Sequence, residues 1–185
     1  MNPWEADALQ YRYPAYGGMA TSNDTVSDPI IYPGLYAPSG FDMMDIFFRV
    51  MSRPSPMIDL GPVDASCAVL MCDLWQPDSP IVYVNDACVE MTGYSQAEIL
   101  GRNCRFMQAP GGRVLKSSVR KYLEKDLVKK MRRAVESNNE LAIEVTNFKK
   151  NGQRFTNVLA MIPVYWDSDQ PRYSVGFMAE KPRGH

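Results

Sequence analysis

The sequence predicts an α+β fold: a five-stranded antiparallel sheet flanked by short helices, with one more helix ahead of it. Three observations carry this. Two short aliphatic runs, SCAVLMCDL and IVYVN, precede a block of short helical segments. Three longer strand patterns close the chain: LAIEVTNFKK, RFTNVLAMIPVYW and RYSVGFMAEK. Asn151-Gly152 stands between the first two of these, and that dipeptide favours the tight turn of a hairpin.

Residues 1–40 are rich in Pro, Tyr, Gly, Ser and Asp without a sustained period, which reads as a largely flexible N-terminal tail. FDMMDIFFRVM, 41–51, reads as a helix whose polar residues Asp42, Asp45 and Arg49 share one narrow stripe. Its apolar residues cover about 220° of the circumference, whereas packing on one domain needs a stripe of roughly 100°. The surplus fits a partner site; a tail folded back over the helix is the other reading. Pro54 and Pro56 end the helix, so 41–62 form a cap helix and a linker that can act as a hinge.

The main domain is expected over 63–181, with 182–185 as a C-terminal tail. After the first two strands, DACVEMTG and SQAEILG read as short helices, the second opened by a Ser95/Glu98 capping box. DLVKKMRRAVESN places Leu127, Val128, Met131, Ala134 and Val135 at helical spacing.

Composition narrows the function. The 185 residues carry a formal charge of −1, so no basic field favours direct nucleic-acid binding. Four cysteines are too few and too irregular for a secreted disulfide framework. Cys67 and Cys72 lie an odd number of residues apart on one strand and so face opposite ways. With no CxxC and a single histidine, His185, neither a metal site nor histidine catalysis is expected. No run is long enough to span a bilayer and no signal peptide is evident, so the expected setting is intracellular, cytoplasmic or nuclear, without membrane.

The segment GRNCRFMQ, 101–108, carries the chemistry. Cys104 lies between an amide, Asn103, and a guanidinium, Arg105, with a second amide at Gln108. Amides read the edge of a heteroaromatic ring, arginine holds phosphate, and the thiol is a nucleophile. Strand parity adds to this. Leu141, Ile143 and Val145 share a face with Asn147; Phe155, Leu159 and Met161 share one with Asn157. An unpaired amide in such an apolar layer costs about 1–3 kcal/mol. Each asparagine therefore either finds a backbone or water partner or serves a shared polar ligand.

GRNCRFMQ closely resembles the flavin-binding signature of LOV domains, the blue-light branch of the PAS family, and the order of elements is that of a PAS domain. LYAPSGFD, GPVDASCA and NFKKNGQRF, followed by MIPV and YSVGF, resemble fungal LOV photoreceptors of the Vivid and Envoy type. The resemblance implies that Cys104 bonds reversibly to flavin C4a after blue-light absorption. It gives Asn147 and Asn157 the pyrimidine side of the ring and Asn103 and Gln108 further ring or ribityl contacts. Leu159, Met161 and Met178 become ring neighbours, and Arg105 the phosphate ligand in place of a solvated surface arginine. The loop APGGRVLKSSVRKYLEK carries Arg113, Lys116, Arg120 and Lys121. It reads either as a solvated basic loop or, by resemblance, as the insertion that takes the second phosphate of FAD on Arg120. FAD is then the expected cofactor and FMN a tolerated one. Leu70, Ile81, Met131 and Met161 read first as core and could tune decay of the bond.

Met178 departs from the family pattern, because a glutamine usually stands there to sense protonation at flavin N5. A thioether donates no hydrogen bond. The resemblance implies a non-enzymatic photoreceptor in photoadaptation that signals by cap rearrangement and altered PAS–PAS association. Its partners would be a second copy in the light and other PAS proteins such as the White Collar complex. The alternative is a flavin-based redox sensor or flavin-dependent oxidoreductase, against which stands the lack of a histidine or paired carboxylates placed for turnover.

Overall fold

A computed structural model of the chain describes residues 41–61, 63, 66–115, 120–166 and 168–182. The expected N-terminal tail and Lys116 lie outside these residues. The chain divides into two compact units, 1–48 and 49–185. The sheet, the linker and the cavity described below belong to the second.

Helix α1, Met43–Met51, begins after Asp42, whose carboxylate accepts from the Asp45 N–H at 2.9 Å. Met43, Ile46 and Val50 are buried at helical spacing, while Met44, Phe48 and Met51 are exposed. The apolar circumference expected from the sequence thus divides into a covered stripe and an exposed one.

The sheet runs in the order β2-β1-β5-β4-β3, antiparallel throughout. Its strands are β1 Ala68–Asp73, β2 Ile81–Val84, β3 Leu141–Phe148, β4 Arg154–Tyr165 and β5 Pro171–Glu180. β5 lies between β1 and β4 and so joins the early strands to the late hairpin. In β3, Leu141, Ile143, Val145 and Asn147 are buried and the residues between them are more exposed until Phe148, as the two-residue period requires. The β3–β4 hairpin turns at Asn151-Gly152, where Gly152 takes φ +85°, a conformation that costs glycine little.

Between β2 and β3 the chain forms α2 Asp86–Thr92, α3 Gln96–Ile99, a 3-10 turn Cys104–Gln108 and α4 Lys125–Glu136. Asn85 caps α2 by accepting from Cys88 N at 3.1 Å, and the same oxygen accepts from Val69 N at 2.9 Å. One side chain thus fastens the exit of β2 to β1. The expected capping box opens α3, with Ser95 N donating to Glu98 at 2.8 Å. Apolar clusters form behind these elements among the described residues. One gathers Leu70, Ile81, Phe106 and Met178; another gathers Ala134, Leu141, Ile143 and Val145. Leu159 packs against both.

The linker is fastened as well as bent. Arg53 Nε lies 2.5 Å from Glu140, and the other carboxylate oxygen accepts from Met57 N at 3.0 Å and Ile58 N at 2.8 Å. Glu140 immediately precedes β3, an edge strand, so the linker read as a hinge is clasped to the sheet through one carboxylate.

Candidate functional site

A cavity of about 510 Å³ opens on the inner face of the sheet, within the size range of small-molecule pockets. Every residue singled out from the sequence for the site lines it: Cys104 with Asn103, Arg105, Gln108, Arg120, Asn147, Asn157, Leu159, Met161 and Met178. Leu70 and Met131 line it too, whereas Ile81 is core. Arg113 and Lys121, from the same loop as Arg120, are exposed.

The 3-10 turn places the thiol. Asn103 Oδ1 caps it, accepting from Arg105 N at 3.0 Å, and Asn103 Nδ2 donates to Asp78 O at 2.5 Å. Phe106 is driven into the core, edge-on to Tyr94 at 5.0 Å and beneath the Arg102 guanidinium at 4.2 Å. With Phe106 pinned inward and Asn103 pinned to the β1–β2 turn, Cys104 is held at the cavity wall between them. Asn103 therefore spends its amide on the protein. Gln108 accepts from Arg120 Nε at 3.0 Å, and Arg120 also donates to Leu115 O at 3.0 Å.

The two asparagines read from strand parity meet. Asn157 Nδ2 donates to Asn147 Oδ1 at 2.9 Å, while Asn147 Nδ2 donates to Thr146 O at 3.0 Å and Met107 O at 3.4 Å. Asn157 is 1% exposed, yet its Oδ1 has no partner. A buried acceptor left so costs about 1–3 kcal/mol, which a ligand N–H in the cavity recovers. Gly176 keeps the wall flat: a Cβ there would stand 3.3 Å from Leu70 Cδ1 and 3.6 Å from Leu159 Cδ1. A flat apolar wall, a buried amide pair with an open acceptor, a thiol and a cationic edge are a donor set that fits a flavin carrying phosphate.

Cys104 Sγ donates to Asn103 Oδ1 at 3.9 Å, and Cys72 also lines the cavity, its thiol close enough to Cys104 to influence it. That influence first, with the charge of Arg105 behind it, holds Cys104 below the ordinary thiol range against the opposing effect of burial. Cys72 is pushed well up by Cys104 in turn and by burial. Burial alone pushes Cys88 up to about 12. Cys72 thus stands in the site, whereas Cys88 belongs to the core. Asp78 and Arg132 were missed as well; both line the cavity near Arg105 and Arg120. Among the described residues there is no group of side chains able to hold a metal ion, and no helix long and apolar enough to cross a membrane.

Residues 66–179 match the PAS domain family. The sequence is 42% identical over 149 residues to the blue light receptor lreA of Aspergillus flavus, covering 80% of this chain and 17% of that protein. It is also 42% identical over 146 residues to the White collar 1 protein of Neurospora crassa, covering 79% of this chain and 12% of that one. The chain thus spans less than a fifth of these curated relatives. Among solved structures, the light-state dimer of the fungal blue-light photoreceptor Vivid superposes with a TM-score of 0.76 at 52% identity, covering 80% of this chain and 99% of that one.

Proposed function

This chain belongs to the PAS domain family, in the LOV branch that includes the fungal photoreceptor Vivid, and we propose that it senses blue light through a flavin held in the cavity and Cys104. The observation that carries this is the convergence of Cys104 and the buried amide of Asn157 on one cavity. A bound flavin supplies a blue-absorbing ring whose C4a carbon, once excited, accepts a thiol.

The chain supplies the rest. Cys104 provides the sulfur and its proton, kept at the cavity wall by the Asn103 cap. Asn147 and Asn157 fix the pyrimidine edge of the ring. Leu159 and Met178, packed in one cluster with Cys104, keep water from the reacting sulfur, and Met131 adds apolar lining to the same cavity. Arg105 and Arg120 hold phosphate, and with Arg132 beside them the cationic edge suits the two phosphates of FAD, FMN also being accepted. With no histidine or carboxylate pair assigned to turnover, the output is conformational. It passes through the linker and α1 to light-dependent pairing with a second copy, or with other PAS proteins such as the White Collar complex. On this reading the protein acts inside the cell, in cytoplasm or nucleus, as a damper of light-responsive transcription.

The test is an absorption spectrum taken dark, lit and dark again. Loss of the structured blue band under blue light and its return in darkness are expected. Cys104→Ala should keep the bound flavin and lose the bleaching; normal bleaching in that variant ends the assignment.

A further inference from the structure

The turn between β1 and β2 puts a carboxylate where the site needs an anion. Asp78 takes both terminal nitrogens of Arg105, Nη1 at 2.5 Å and Nη2 at 2.6 Å. This fork-to-carboxylate geometry is the one arginine offers a phosphate. The backbone around Asp78 is held from below, since Asn103 Nδ2 donates to the carbonyls of Asp78 at 2.5 Å and Ser79 at 3.4 Å. Asp78 and Ser79 take φ +68° and +46°, a region that non-glycine residues enter at a cost, and these contacts, with Ser79 N donating to Gln76 O at 3.1 Å, hold the turn. The signature segment therefore fixes both the arginine and the carboxylate that competes for it.

The neighbouring charges make the competition unequal between ligands. Arg105, Arg120 and Arg132 line the cavity together with Asp78 and Glu136. Arg120 feels Arg105 and Arg132 as repelling cations and Asp78 as an attracting anion, so these groups lie within mutual electrostatic range. A terminal monophosphate carries about −1.5 to −2 at neutral pH because its second proton leaves near pH 6. Each phosphate of a phosphodiester chain carries a single charge. An anion that reaches Arg105 must share it with Asp78 or displace it, and the penalty grows with the charge brought to that point.

We propose that Asp78 is a built-in competing anion that makes this cavity select a diphosphate-linked flavin over a flavin monophosphate. The proposal rests on the flavin reading of the cavity. Asp78 acts on the phosphate end alone, so it leaves recognition of the ring to Asn147 and Asn157. It also implies that the empty chain holds Arg105 in a binding-ready orientation, with a carboxylate to be exchanged for phosphate.

The experiment equilibrates the full chain with equal concentrations of riboflavin, FMN and FAD in the dark, then releases the bound flavins with acid and separates them. Asp78→Asn removes the charge and keeps the shape; Asp78→Ala removes both. Against the parent, FMN affinity should rise about tenfold and FAD affinity about threefold with riboflavin unchanged, so the bound FMN:FAD ratio rises about threefold. The rise should shrink below about pH 6, where the monophosphate loses its second charge, and shrink again in high salt. Unchanged FMN:FAD ratios in both variants overturn the role of Asp78 while leaving the flavin reading intact. A parent chain that binds none of the three overturns both.

Discussion

Cys72 on β1 and Cys104 on the 3-10 turn line one cavity, and the Cys72 thiol is the largest influence holding Cys104 below the ordinary thiol range, so the sheet bears on the reacting sulfur. Alkylation rate follows the thiolate fraction, and Cys104 is held low while Cys88 is pushed to about 12. In flavin-free protein near neutral pH, Cys104 should therefore be alkylated by iodoacetamide well before Cys88. Cys72→Ala removes the neighbouring thiol that holds Cys104 low and should slow labelling of Cys104 by about three- to tenfold at fixed pH, since each unit of pKa is tenfold in thiolate. Peptide-resolved mass spectrometry over a pH series reads both effects. Equal rates at Cys104 and Cys88 would contradict the assignment.

Asn157→Leu separates holding the ligand from holding the fold. The change removes the partnerless Oδ1 of Asn157 but leaves Asn147 Oδ1 without its donor, so one orphaned acceptor replaces another. Stability of the flavin-free chain should shift by less than about 1 kcal/mol, because the two terms nearly cancel. Flavin affinity should fall by about tenfold or more, as a ring-edge hydrogen bond made in a dry cavity is lost. Chemical denaturation of the empty chain and flavin titration of both forms give the two numbers. A large loss of stability with unchanged affinity would make Asn157 purely structural.

Much of this arrangement is legible in the sequence, because it is written in local periods. The alternation that buries Leu141, Ile143, Val145 and Asn147 is a property of one strand, and the Asn151-Gly152 turn and Ser95/Glu98 box are properties of a few adjacent residues. What escaped the reading depends on chain reversals. Asp78 meets Arg105, Cys72 meets Cys104 and Arg53 meets Glu140 only after the sheet has ordered itself β2-β1-β5-β4-β3. Asn103 has a second role of the same kind, since its amide lines the cavity and also donates to the β1–β2 turn.

The Glu140 clasp gives the linker a pH dependence. Burial pushes the Glu140 carboxyl up, but the Arg53 guanidinium and the Ile58 and Met57 N–H groups outweigh it and hold the group below its ordinary value. A carboxyl whose folded value is depressed contributes stability in full above the unfolded value and loses it as pH falls through the folded one. Hydrogen exchange at Met57 and Ile58 should thus be slow near neutrality and accelerate, beyond the intrinsic trend, below the ordinary carboxylate range. Glu140→Ala should abolish that dependence and cost about 1–3 kcal/mol, with the linker cut sooner in limited proteolysis. Unchanged exchange at both amides would show that the linker is held by other contacts.

Met178 sits in β5 across from Ala68 on β1 and Leu159 on β4, 4% exposed and facing the cavity. Its thioether gives the ring an apolar, polarisable neighbour and no donor, where related LOV domains present an amide. Met178→Gln should act oppositely in the empty and loaded chains. Without flavin the new amide lies in an apolar wall and lowers stability by about 1–3 kcal/mol. With flavin it finds ring heteroatoms, so the rise in melting temperature on loading should exceed that of the parent. The same amide also links the ring to β5 and, through the Ala68 pairing, to the strand that follows the linker. Light-scattering mass measured dark and lit over a concentration series should then show a larger light-driven increase in the glutamine variant. Equal increases in the two proteins would mean that the signal leaves the cavity by a route other than position 178.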